Sequence, residues 1–457
     1  MRRRLLPALT ILAALAAPAA AHASSRQVTT FEAPRELLSA ATRDATLSRI
    51  TSLGVKNIRQ LVYWRDYAPY PSSAHKPAFD ASNPDAYPAG TWGNLDALIA
   101  DAKAHGVSVM LTLTGPPPRW AAKDSKLSYP DAKEFGAFAT AMGKRYGASV
   151  DTWSIWNEPN QPQFLLPQYV HGKPASPLIY RRLYQAAYAG LRQSNPKDAI
   201  LIGETSPRGN EHVVHPLTFM RGMLCLNSSY RKSKSCGELP ASGYAHHAYT
   251  TAAGPRFKPP SKDDVTIGVL SRLITALDKA GKAGALPKGL PIHLTEFGIQ
   301  STPDKVSGVS LAKQAAYMAI SEHMAYVNPR VVAFSQYLLS DDPPRSEGYK
   351  YGGFESGLRS ADGKTKPAYE GFRLPLAVEV YGTSDVLWGL VRPQRAVSKV
   401  TIERKPKGAS WRTLKTLDTT ATGVYSVKTT HKSGQTYRVK WTAPDGKTYT
   451  GPAVQGY

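Results

Sequence analysis

The chain has 457 residues, of which 42% are hydrophobic and 20% charged, and this composition excludes an intrinsically disordered protein. Its formal net charge of +23 at pH 7 can attract a polyanion, such as an acidic polysaccharide or an anionic cell wall, although a basic surface facing solvent is the alternative. The basic residues are scattered and no nucleic-acid-binding motif accompanies them, so we expect no nucleic-acid partner.

The N-terminus has the pattern of an export signal. Three arginines at positions 2–4 precede an apolar run at residues 5–20, and Ala-His-Ala at 21–23 fits a cleavage site. The apolar run is shorter than the roughly 20 residues that a membrane-spanning helix needs. We therefore predict a signal peptide at residues 1–23, a mature chain that starts near Ser24, no membrane span, and a secreted protein with possible attachment to the cell wall.

From residue 27 to residue 369, short β-rich runs alternate with amphipathic helical runs. The β-rich runs begin near Val28, Asn57, Val107, Val150, Ala199, Gly243, Ile292 and Val331. Glycines at positions 54, 106 and 147 follow three of the helical runs and fit left-handed helix caps. Eight strands with intervening helices predict an α/β fold, a (β/α)₈ TIM barrel over residues 24–375.

An open doubly wound sheet is the alternative architecture. The barrel is favoured because polar residues cluster at the ends of many strands rather than at one switch point. No glycine-rich nucleotide-binding motif follows any strand, so we expect no organic cofactor.

The mature chain has two cysteines, Cys225 and Cys236. In an oxidising compartment we expect them to form a disulfide, which would contribute about 2–3 kcal/mol by restricting the unfolded chain. Two cysteines without a patterned histidine cluster argue against a structural zinc site, and we expect no bound metal.

From about Val378 onward the helical periodicity disappears. Short β-rich runs follow at 386–391, 399–404, 411–417, 424–428, 437–441 and 447–450, separated by turn residues. They predict a small antiparallel β-sandwich domain at residues 376–457. Its aromatic residues could bind sugar, although alternation within a sandwich core explains most of them; they are Trp388, Trp411, Tyr425, Tyr437 and Trp441.

Two glutamates stand out by their context. Glu158 follows a strand run in WSIWNEPN, and Glu296 ends a strand run in IHLTEFG. In a barrel both would project from the C-terminal face, where active sites form. Glycoside hydrolysis needs such a pair: one carboxylic acid protonates the leaving oxygen, while the other carboxylate attacks the anomeric carbon or activates water. Each alone could be an ordinary loop glutamate, but both in matching contexts favour a catalytic pair.

WNEPN around Glu158 and TEFG around Glu296 resemble the two active-site signatures of the clan A glycoside hydrolases, which include the family 5 cellulases and the family 39 xylosidases. The resemblance implies a retaining double displacement with Glu158 as general acid/base and Glu296 as nucleophile. It further implies that Asn157 binds the substrate 2-hydroxyl, a contact that can strengthen in the transition state.

The resemblance also implies a set of supporting residues. Arg59, in KNIRQLVYW, resembles the arginine that pairs with the nucleophile, and such a cation keeps the nucleophile ionised while Glu158 holds a proton. Tyr249, in HHAYT, resembles a tyrosine that hydrogen-bonds the nucleophile, and His247 would line the same subsite. The alternatives are a surface arginine and aromatic residues that pack in the barrel.

One stretch departs from the clan's pattern. The clan usually places a tryptophan at the end of the eighth strand as the floor of the sugar site, whereas this chain has AFSQYLLSDD. Either Tyr337 takes that place or the floor is absent. Trp64, Trp92 and Trp120 fall near strand-end loops, where each could stack on a sugar or pack internally, and we include Trp120 among the substrate-binding candidates.

We therefore expect a secreted, monomeric, retaining glycoside hydrolase that acts on a β-linked oligo- or polysaccharide, with acidic polysaccharides among the candidate substrates. A non-catalytic carbohydrate-binding or cell-surface protein on the same barrel is the main alternative, but binding alone would not need both Glu158 and Glu296. A transglycosylase is the second alternative, and it would share every catalytic residue. Glucan, mannan, xylan, galactan and acidic exopolysaccharide are all compatible with these residues.

Overall fold

The fold is a closed barrel of eight parallel strands, as predicted from the sequence. The computed structural model describes residues 27–232 and 236–457, so the predicted signal peptide lies outside the described residues. The barrel strands are β1 (Val28–Glu32), β2 (Asn57–Tyr63), β3 (Ser108–Thr114), β4 (Thr152–Ile155), β5 (Ala199–Thr205), β6 (Gly243–His247), β7 (Ile292–Glu296) and β8 (Val331–Tyr337).

Closure of the barrel excludes the open doubly wound sheet. Strand β1 pairs in parallel with β8, with Thr30 opposite Ser335, and also with β2, with Thr30 opposite Asn57. The first and last barrel strands are therefore neighbours, and the side chains at their carboxyl ends meet at one mouth.

Helices connect the strands and cover the outside of the barrel. They are α1 (Pro34–Leu38), α2 (Arg43–Ser52), α3 (Trp64–Tyr67), α4 (Gly93–Ala104), α5 (Ala132–Tyr146), α6 (Ser176–Ser194), α7 (Pro216–Met223), α8 (Leu270–Lys282), α9 (Leu311–Tyr326) and α10 (Pro367–Arg373). The loops carry 3₁₀ turns at Pro84–Ala86, Arg119–Ala121 and Ile267–Val269, and a hairpin of Tyr169–Val170 with Lys173–Pro174.

The predicted glycine caps are confirmed at two positions and wrong at the third. Gly54 and Gly106 have φ values of +84° and +65°, which favour glycine because it lacks Cβ. Gly147 instead has a right-handed helical φ of −60°. Close packing explains glycine there, since an added Cβ would lie 2.6 Å from the Gly143 carbonyl oxygen.

The interior of the barrel is layered. Met110, Leu201 and Ala245 form an apolar cluster of their own, separate from the core between strands and helices. Two residues farther along β3, Thr112 Oγ1 accepts a 2.9 Å hydrogen bond from Arg59 Nε. The polar side chains at the carboxyl ends of the strands thus rest on an apolar layer inside the barrel.

The C-terminal region forms two antiparallel sheets. Its strands are β9 (Leu376–Tyr381), β10 (Ser384–Leu390), β11 (Lys399–Lys405), β12 (Arg412–Asp418), β13 (Val424–Thr430), β14 (Thr436–Thr442), β15 (Thr448–Thr450) and β16 (Val454–Gln455). One sheet has the order β9-β10-β13, and the other has the order β12-β11-β14-β15 with β16 paired to β14. The strands β9 and β16 were not predicted from the sequence.

Most C-terminal aromatic residues belong to the core. Trp388, Tyr425, Tyr437 and Trp441 are buried. Trp411 is half-buried, and the guanidinium of Arg438 lies 4.2 Å from its ring centroid. Internal packing therefore accounts for four of the five aromatic residues singled out from the sequence.

Helix α9 joins the two parts of the structure. Its residues Ala319 and Ile320 cluster with Ala377 and Trp388 of the first C-terminal sheet. Beside this cluster, Arg392 Nη2 donates to both carboxylate oxygens of Glu322 at 2.7 and 2.5 Å, and both side chains are buried. The C-terminal sheets thus cover an apolar face of the barrel's outer ring and supply the partner of a buried carboxylate.

Two further predictions concern covalent structure and topology. Cys225 and Cys236 form a disulfide, as predicted. Within residues 27–232 and 236–457, no helix combines the length and apolar character that crossing a bilayer requires.

Candidate active site

Four glutamates stand at the carboxyl ends of barrel strands. Glu32 ends β1, Glu204 is the next-to-last residue of β5, and Glu296 ends β7. Glu158 lies three residues after the last residue of β4. All four are largely buried. Because carboxyl ends of parallel strands meet at one end of the barrel, these side chains converge there.

Arg59, in β2, is the cation around which three of these glutamates gather. Its Nη1 donates to Glu32 Oε2 at 2.9 Å and to Glu296 Oε1 at 2.6 Å, while Nη2 donates to Glu204 Oε2 at 2.9 Å and to Asn157 Oδ1 at 2.8 Å. Burial disfavours the charged guanidinium, but the carboxylates outweigh it and raise the pKa of Arg59 well above its usual value. The predicted pairing of Arg59 with Glu296 is present.

His247, at the end of β6, bridges the carboxylates of Glu158 and Glu204. Its Nδ1 lies 2.9 Å from Glu158 Oε1 and its Nε2 lies 2.7 Å from Glu204 Oε2. Burial lowers the pKa of His247, but attraction to Glu296 and the hydrogen bonds to Glu158 and Glu204 raise it to about 10. At neutral pH the ring is therefore an imidazolium that donates from both nitrogens.

The protonation of Glu158 and Glu204 is driven in opposite directions. Burial, reinforced by repulsion from Glu296, raises the pKa of Glu158 in spite of its bond to His247. Burial acts in the same way on Glu204, but Arg59 and His247 outweigh it and lower that pKa to about 2. The site thus separates a carboxyl that tends to keep its proton from a neighbour that stays ionised, the arrangement that acid/base chemistry requires.

Glu158 and Glu296 face each other across His247. One carboxylate oxygen of each, together with a ring nitrogen of His247, lie within 4.8 Å of one another. His247 Nδ1 is 2.9 Å from Glu158 and 3.4 Å from Glu296 Oε2. A single proton donor therefore contacts both members of the predicted catalytic pair.

Two tyrosines flank Glu296. Tyr249 donates a hydrogen bond of 3.3 Å to Glu296 Oε2, on the carboxylate oxygen not held by Arg59. Tyr337 ends β8, and burial together with the negative charge of Glu296 raises the pKa of its phenol well above the usual value. Both phenols therefore stay protonated and can donate to a carboxylate or a hydroxyl.

The backbone at two strand ends adopts left-handed conformations that residues with a Cβ rarely take. The φ values are +66° at Trp156, +38° at Glu158 and +51° at Glu204. Such residues cost on the order of 1–3 kcal/mol each and concentrate at functional sites. The surrounding hydrogen bonds fix Glu158 and Glu204 in these conformations, which aims their carboxylates at His247.

The same cluster is the one set of described residues whose geometry could hold a metal, since Glu158, His247 and Glu296 bring three potential ligand atoms within 4.8 Å. A histidine ligates metals through a neutral ring nitrogen. Both nitrogens of His247 are instead engaged with carboxylates, and its pKa of about 10 keeps the ring protonated. The donor set therefore suits proton chemistry better than metal binding.

The three tryptophans considered as sugar platforms lie together in the loops after β2 and β3. Trp64 and Trp92 are buried, at 1% and 6% exposure, and so pack internally. Trp120 is half-buried and contacts Trp64 at a centroid distance of 6.1 Å, while its Nε1 donates to the Pro69 carbonyl oxygen. The contacts of Trp120 are therefore with this aromatic cluster rather than with the four glutamates.

Sequence reasoning missed Glu32, and it interpreted Glu204, in IGETSP at the end of the fifth strand, as a subsite or structural residue. Glu32 has one oxygen on Arg59, while its other oxygen, Oε1, is buried without a hydrogen-bond partner in the described structure. Glu204 Oε2 accepts from Arg59, His247 and Thr295. The position of Glu32 at the end of the first strand is the same signal that singled out Glu296, and it could have identified this residue as well.

A model of a known family matches most of the barrel. The family described as Cellulase (glycosyl hydrolase family 5) matches residues 19–334. No curated protein matches the chain in sequence.

Solved structures share the fold at low sequence identity. A glucosidase from Croceicoccus marinus is 11% identical with a TM-score of 0.54, covering 91% of this chain and 95% of its own. A family 39 glycoside hydrolase from Bacteroides cellulosilyticus WH2 is 16% identical with a TM-score of 0.50, covering 89% and 81%. An exo-β-1,4-mannosidase from Opitutaceae bacterium strain TAV5 is 16% identical with a TM-score of 0.50, covering 76% and 58%. At these identities the likeness concerns the fold.

Proposed function

This chain belongs to the cellulase family of glycosyl hydrolases, family 5, and on that premise we propose that it cleaves β-glycosidic bonds with retention of anomeric configuration. Glu296 is the nucleophile in this proposal and Glu158 is the general acid/base. The observation that carries it is the approach of the two carboxylates to within 4.8 Å around His247. Retaining enzymes hold their carboxyl groups about 5–5.5 Å apart, whereas inverting enzymes need about 6.5–9.5 Å to admit a water molecule.

The environments of the two carboxylates support these roles. Glu296 receives hydrogen bonds from Arg59 and Tyr249, one on each oxygen, which orient its carboxylate for nucleophilic attack. Glu158 has a raised pKa because of its burial, so it can hold the proton that the leaving oxygen needs. Once the leaving group departs, the ionised Glu158 deprotonates the water that attacks the glycosyl–enzyme bond, and the imidazolium of His247 stabilises that ionised form.

Asn157 completes the group next to the reacting carbon. Its Oδ1 is occupied by Arg59 Nη2 and its backbone N–H donates to Thr114 Oγ1 at 3.0 Å. The side-chain amide is thereby fixed with its NH₂ group as the remaining donor. We propose that this NH₂ group binds the substrate 2-hydroxyl, while Tyr337 and Trp120 stay candidates for contacts with the sugar.

Hydrolysis of small β-glycosides tests the proposal directly. The full-length protein is incubated with 4-nitrophenyl β-glycosides of glucose, mannose, xylose and galactose and with cello-, manno- and xylo-oligosaccharides. Proton NMR then follows the anomer that forms first. We expect the β-anomer, no turnover by Glu296→Ala, and full turnover by the control Glu211→Ala, whose side chain is 79% exposed. First release of the α-anomer contradicts retention.

The same experiment separates the alternative activities. A transglycosylase releases its first product but gives longer oligosaccharides as acceptor concentration rises, and mass spectrometry detects them. A binding protein retains oligosaccharide without turnover. Hydrolysis is favoured over binding because the site holds a carboxyl with a raised pKa beside an oriented carboxylate, which binding alone does not need.

We further propose that the protein is secreted as a monomer and that part of its +23 charge attaches it to an anionic wall or exopolymer. The export pattern at residues 1–23 and the disulfide support secretion. Adsorption to an anionic polysaccharide should then weaken steeply with salt, since screening shortens from about 10 Å at 0.1 M to about 3 Å at 1 M. Adsorption that does not depend on salt contradicts the electrostatic part of this proposal.

A further inference from the structure

An exposed phenylalanine lies beside the two tyrosines that flank Glu296. Phe354, in the connection between β8 and α10, is 39% exposed. Its ring centroid is 4.9 Å from that of Tyr337, in an edge-to-face arrangement, and 6.4 Å from that of Tyr249. Since Tyr249 hydrogen-bonds Glu296, the phenylalanine ring stands one side chain away from the proposed nucleophile.

The backbone that carries Phe354 is held by hydrogen bonds on both sides. Its N–H donates to Asp342 Oδ2 at 2.9 Å, and its carbonyl oxygen accepts from the Asp342 N–H at 3.0 Å. Two residues on, Ser356 Oγ donates to the Tyr337 carbonyl oxygen at 2.5 Å. The exposed ring is therefore carried by a fixed segment and not by a loose loop tip.

A buried ion pair anchors this segment from beneath. Lys366 Nζ donates to Asp341 Oδ1 at 2.6 Å and to the Glu355 carbonyl oxygen at 3.1 Å, and both ion-paired side chains are 3% exposed. Asp341 Oδ1 also accepts from the Gly357 N–H at 2.9 Å. One lysine thus links the start and the end of the connection around Phe354.

The glycine of the TEFG motif allows this segment to approach the nucleophile strand. A Cβ at Gly298 would lie 2.3 Å from the Tyr337 carbonyl oxygen and 2.8 Å from Ser356 Cβ. Any larger residue at position 298 would push the segment away from the end of β7. The motif that contains Glu296 therefore also fixes where Phe354 stands.

An apolar ring that is held exposed to water lacks the favourable free energy of burial, which is about 25 cal/mol per Å² of apolar surface. That gain returns when a ligand covers the ring, and aromatic side chains dominate the walls of ligand sites for this reason. The ligand that enters this mouth under the proposed function is a sugar, whose C–H groups offer an apolar face. Tyr337 by itself is smaller than the tryptophan that the clan's pattern places at this strand end.

We propose that Phe354 forms an aromatic wall of the substrate cleft, packs against the C–H face of the pyranose unit bound beside Glu296, and so determines which glycosides are accepted. Tyr337 holds the ring by edge-to-face contact and Tyr249 lies beside it at a tilted angle, while the sugar covers the exposed part of the ring. This inference rests on the proposed glycosidase function.

The test compares Phe354→Ala, Phe354→Tyr and wild type on the panel of 4-nitrophenyl β-glycosides and oligosaccharides. We expect Phe354→Ala to lower kcat/KM by about three- to tenfold, the range of one aromatic contact, and Phe354→Tyr to restore it. The control is Tyr381→Ala, an exposed aromatic residue on β9 that should leave kcat/KM unchanged. Circular dichroism and Tm establish that each variant is folded.

The outcomes distinguish failure of the proposal for Phe354 from failure of the glycosidase proposal on which it rests. If wild type turns over glycosides and Phe354→Ala has the same kcat/KM on every one, Phe354 does not form a wall of the substrate cleft, while the glycosidase proposal stands. If Phe354→Tyr fails to restore activity, a displaced segment and not a missing ring explains the loss, and the proposal is overturned. If wild type turns over none of the glycosides, the glycosidase proposal fails. Calorimetric titration with cello-, manno- and xylo-oligosaccharides then tests whether Phe354 contacts bound sugar. Equal affinities of wild type and Phe354→Ala would reject that contact.

Discussion

Arg59 Nη1 donates to Glu296 Oε1 across 2.6 Å inside the barrel mouth, and the arginine side chain has no exposure to solvent. The same nitrogen also holds Glu32, so two carboxylates share one donor group. A buried cation in this position orients the proposed nucleophile, while Tyr249 donates to the second oxygen of Glu296.

Removing this cation should destabilise the protein strongly. Arg59→Met takes the guanidinium away from the buried Glu32, Glu204 and Glu296, and breaking a buried pair in this way costs about 3–5 kcal/mol. Urea unfolding measures the loss. The matched control is Arg145→Met, whose pair with Asp96 is partly exposed and should contribute only about 0–1 kcal/mol. Equal losses for the two variants would contradict the central role of Arg59.

The two glutamates of the proposed catalytic pair should respond differently to replacement. Glu158→Ala should keep activity on 2,4-dinitrophenyl glycosides, which leave without protonation, but lose about 10²–10⁴-fold on alkyl glycosides. Added azide should accelerate Glu158→Ala and give the β-glycosyl azide, because the small anion enters the space of the lost base. Glu296→Ala should be inactive on both substrates. If azide instead gave the β-glycosyl azide only with Glu296→Ala, the assigned roles would be reversed.

The pH dependence of kcat/KM should report the contact between His247 and Glu158. The basic limb follows deprotonation of the proposed general acid, Glu158. Burial raises the pKa of Glu158, and the hydrogen bond and charge of His247 make that rise smaller. His247→Gln removes the cation, so the basic limb should move to higher pH. His212→Gln, an exposed histidine with 78% side-chain exposure, serves as control and should leave the profile unchanged. A shift of the basic limb to lower pH would show that His247 does not act on Glu158 through its charge.

Stability should also depend on the charge of His247. Its folded-state pKa of about 10 lies above the usual 6.5, so protonation favours the folded state. This contribution is fully present below about pH 6.5 and is lost as the pH rises towards 10. The difference in unfolding free energy between wild type and His247→Gln should therefore shrink across that window, as measured by urea titrations at several pH values. A difference that stays constant from pH 6 to pH 10 would speak against a protonated His247.

The C-terminal sheets should stabilise the barrel without supplying a catalytic group. We propose the domain boundary at residues 375/376, where α10 has ended and β9 begins. A protein that ends at residue 375 exposes Ala319 and Ile320 and leaves Glu322 without Arg392. We expect it to melt earlier and aggregate more, yet to turn over small soluble glycosides if folded. Loss of turnover in a demonstrably folded truncation would place part of the active site in the sheets.

Unchanged stability of that truncation together with lost adsorption to insoluble polysaccharide would favour a sugar-binding role instead. The residue to examine then is Trp411, a half-buried aromatic residue of this region. Replacing Trp411 alone would separate this role from packing, since Trp388 and Trp441 belong to the core.

The sequence by itself determined the barrel and its two leading glutamates, because both depend on local patterns. Alternating β-rich and amphipathic segments located every barrel strand within two residues of its observed start. WNEPN and TEFG identified Glu158 and Glu296, and barrel topology then implied that strand ends meet. Gly147 shows the limit of local reasoning, since its conformation follows from contact with Gly143 rather than from a helix cap.

Only the tertiary structure decided how charge is distributed in the site. Glu32, Glu204 and His247 lie on separate strands, and their protonation depends on burial and on charges that closure of the barrel brings within 3 Å. The position of Phe354 likewise depends on long-range contacts with Asp342, Lys366 and Gly298. Burial and Coulomb interaction depend on distance in space and not along the chain, so no pattern in the sequence could have fixed them.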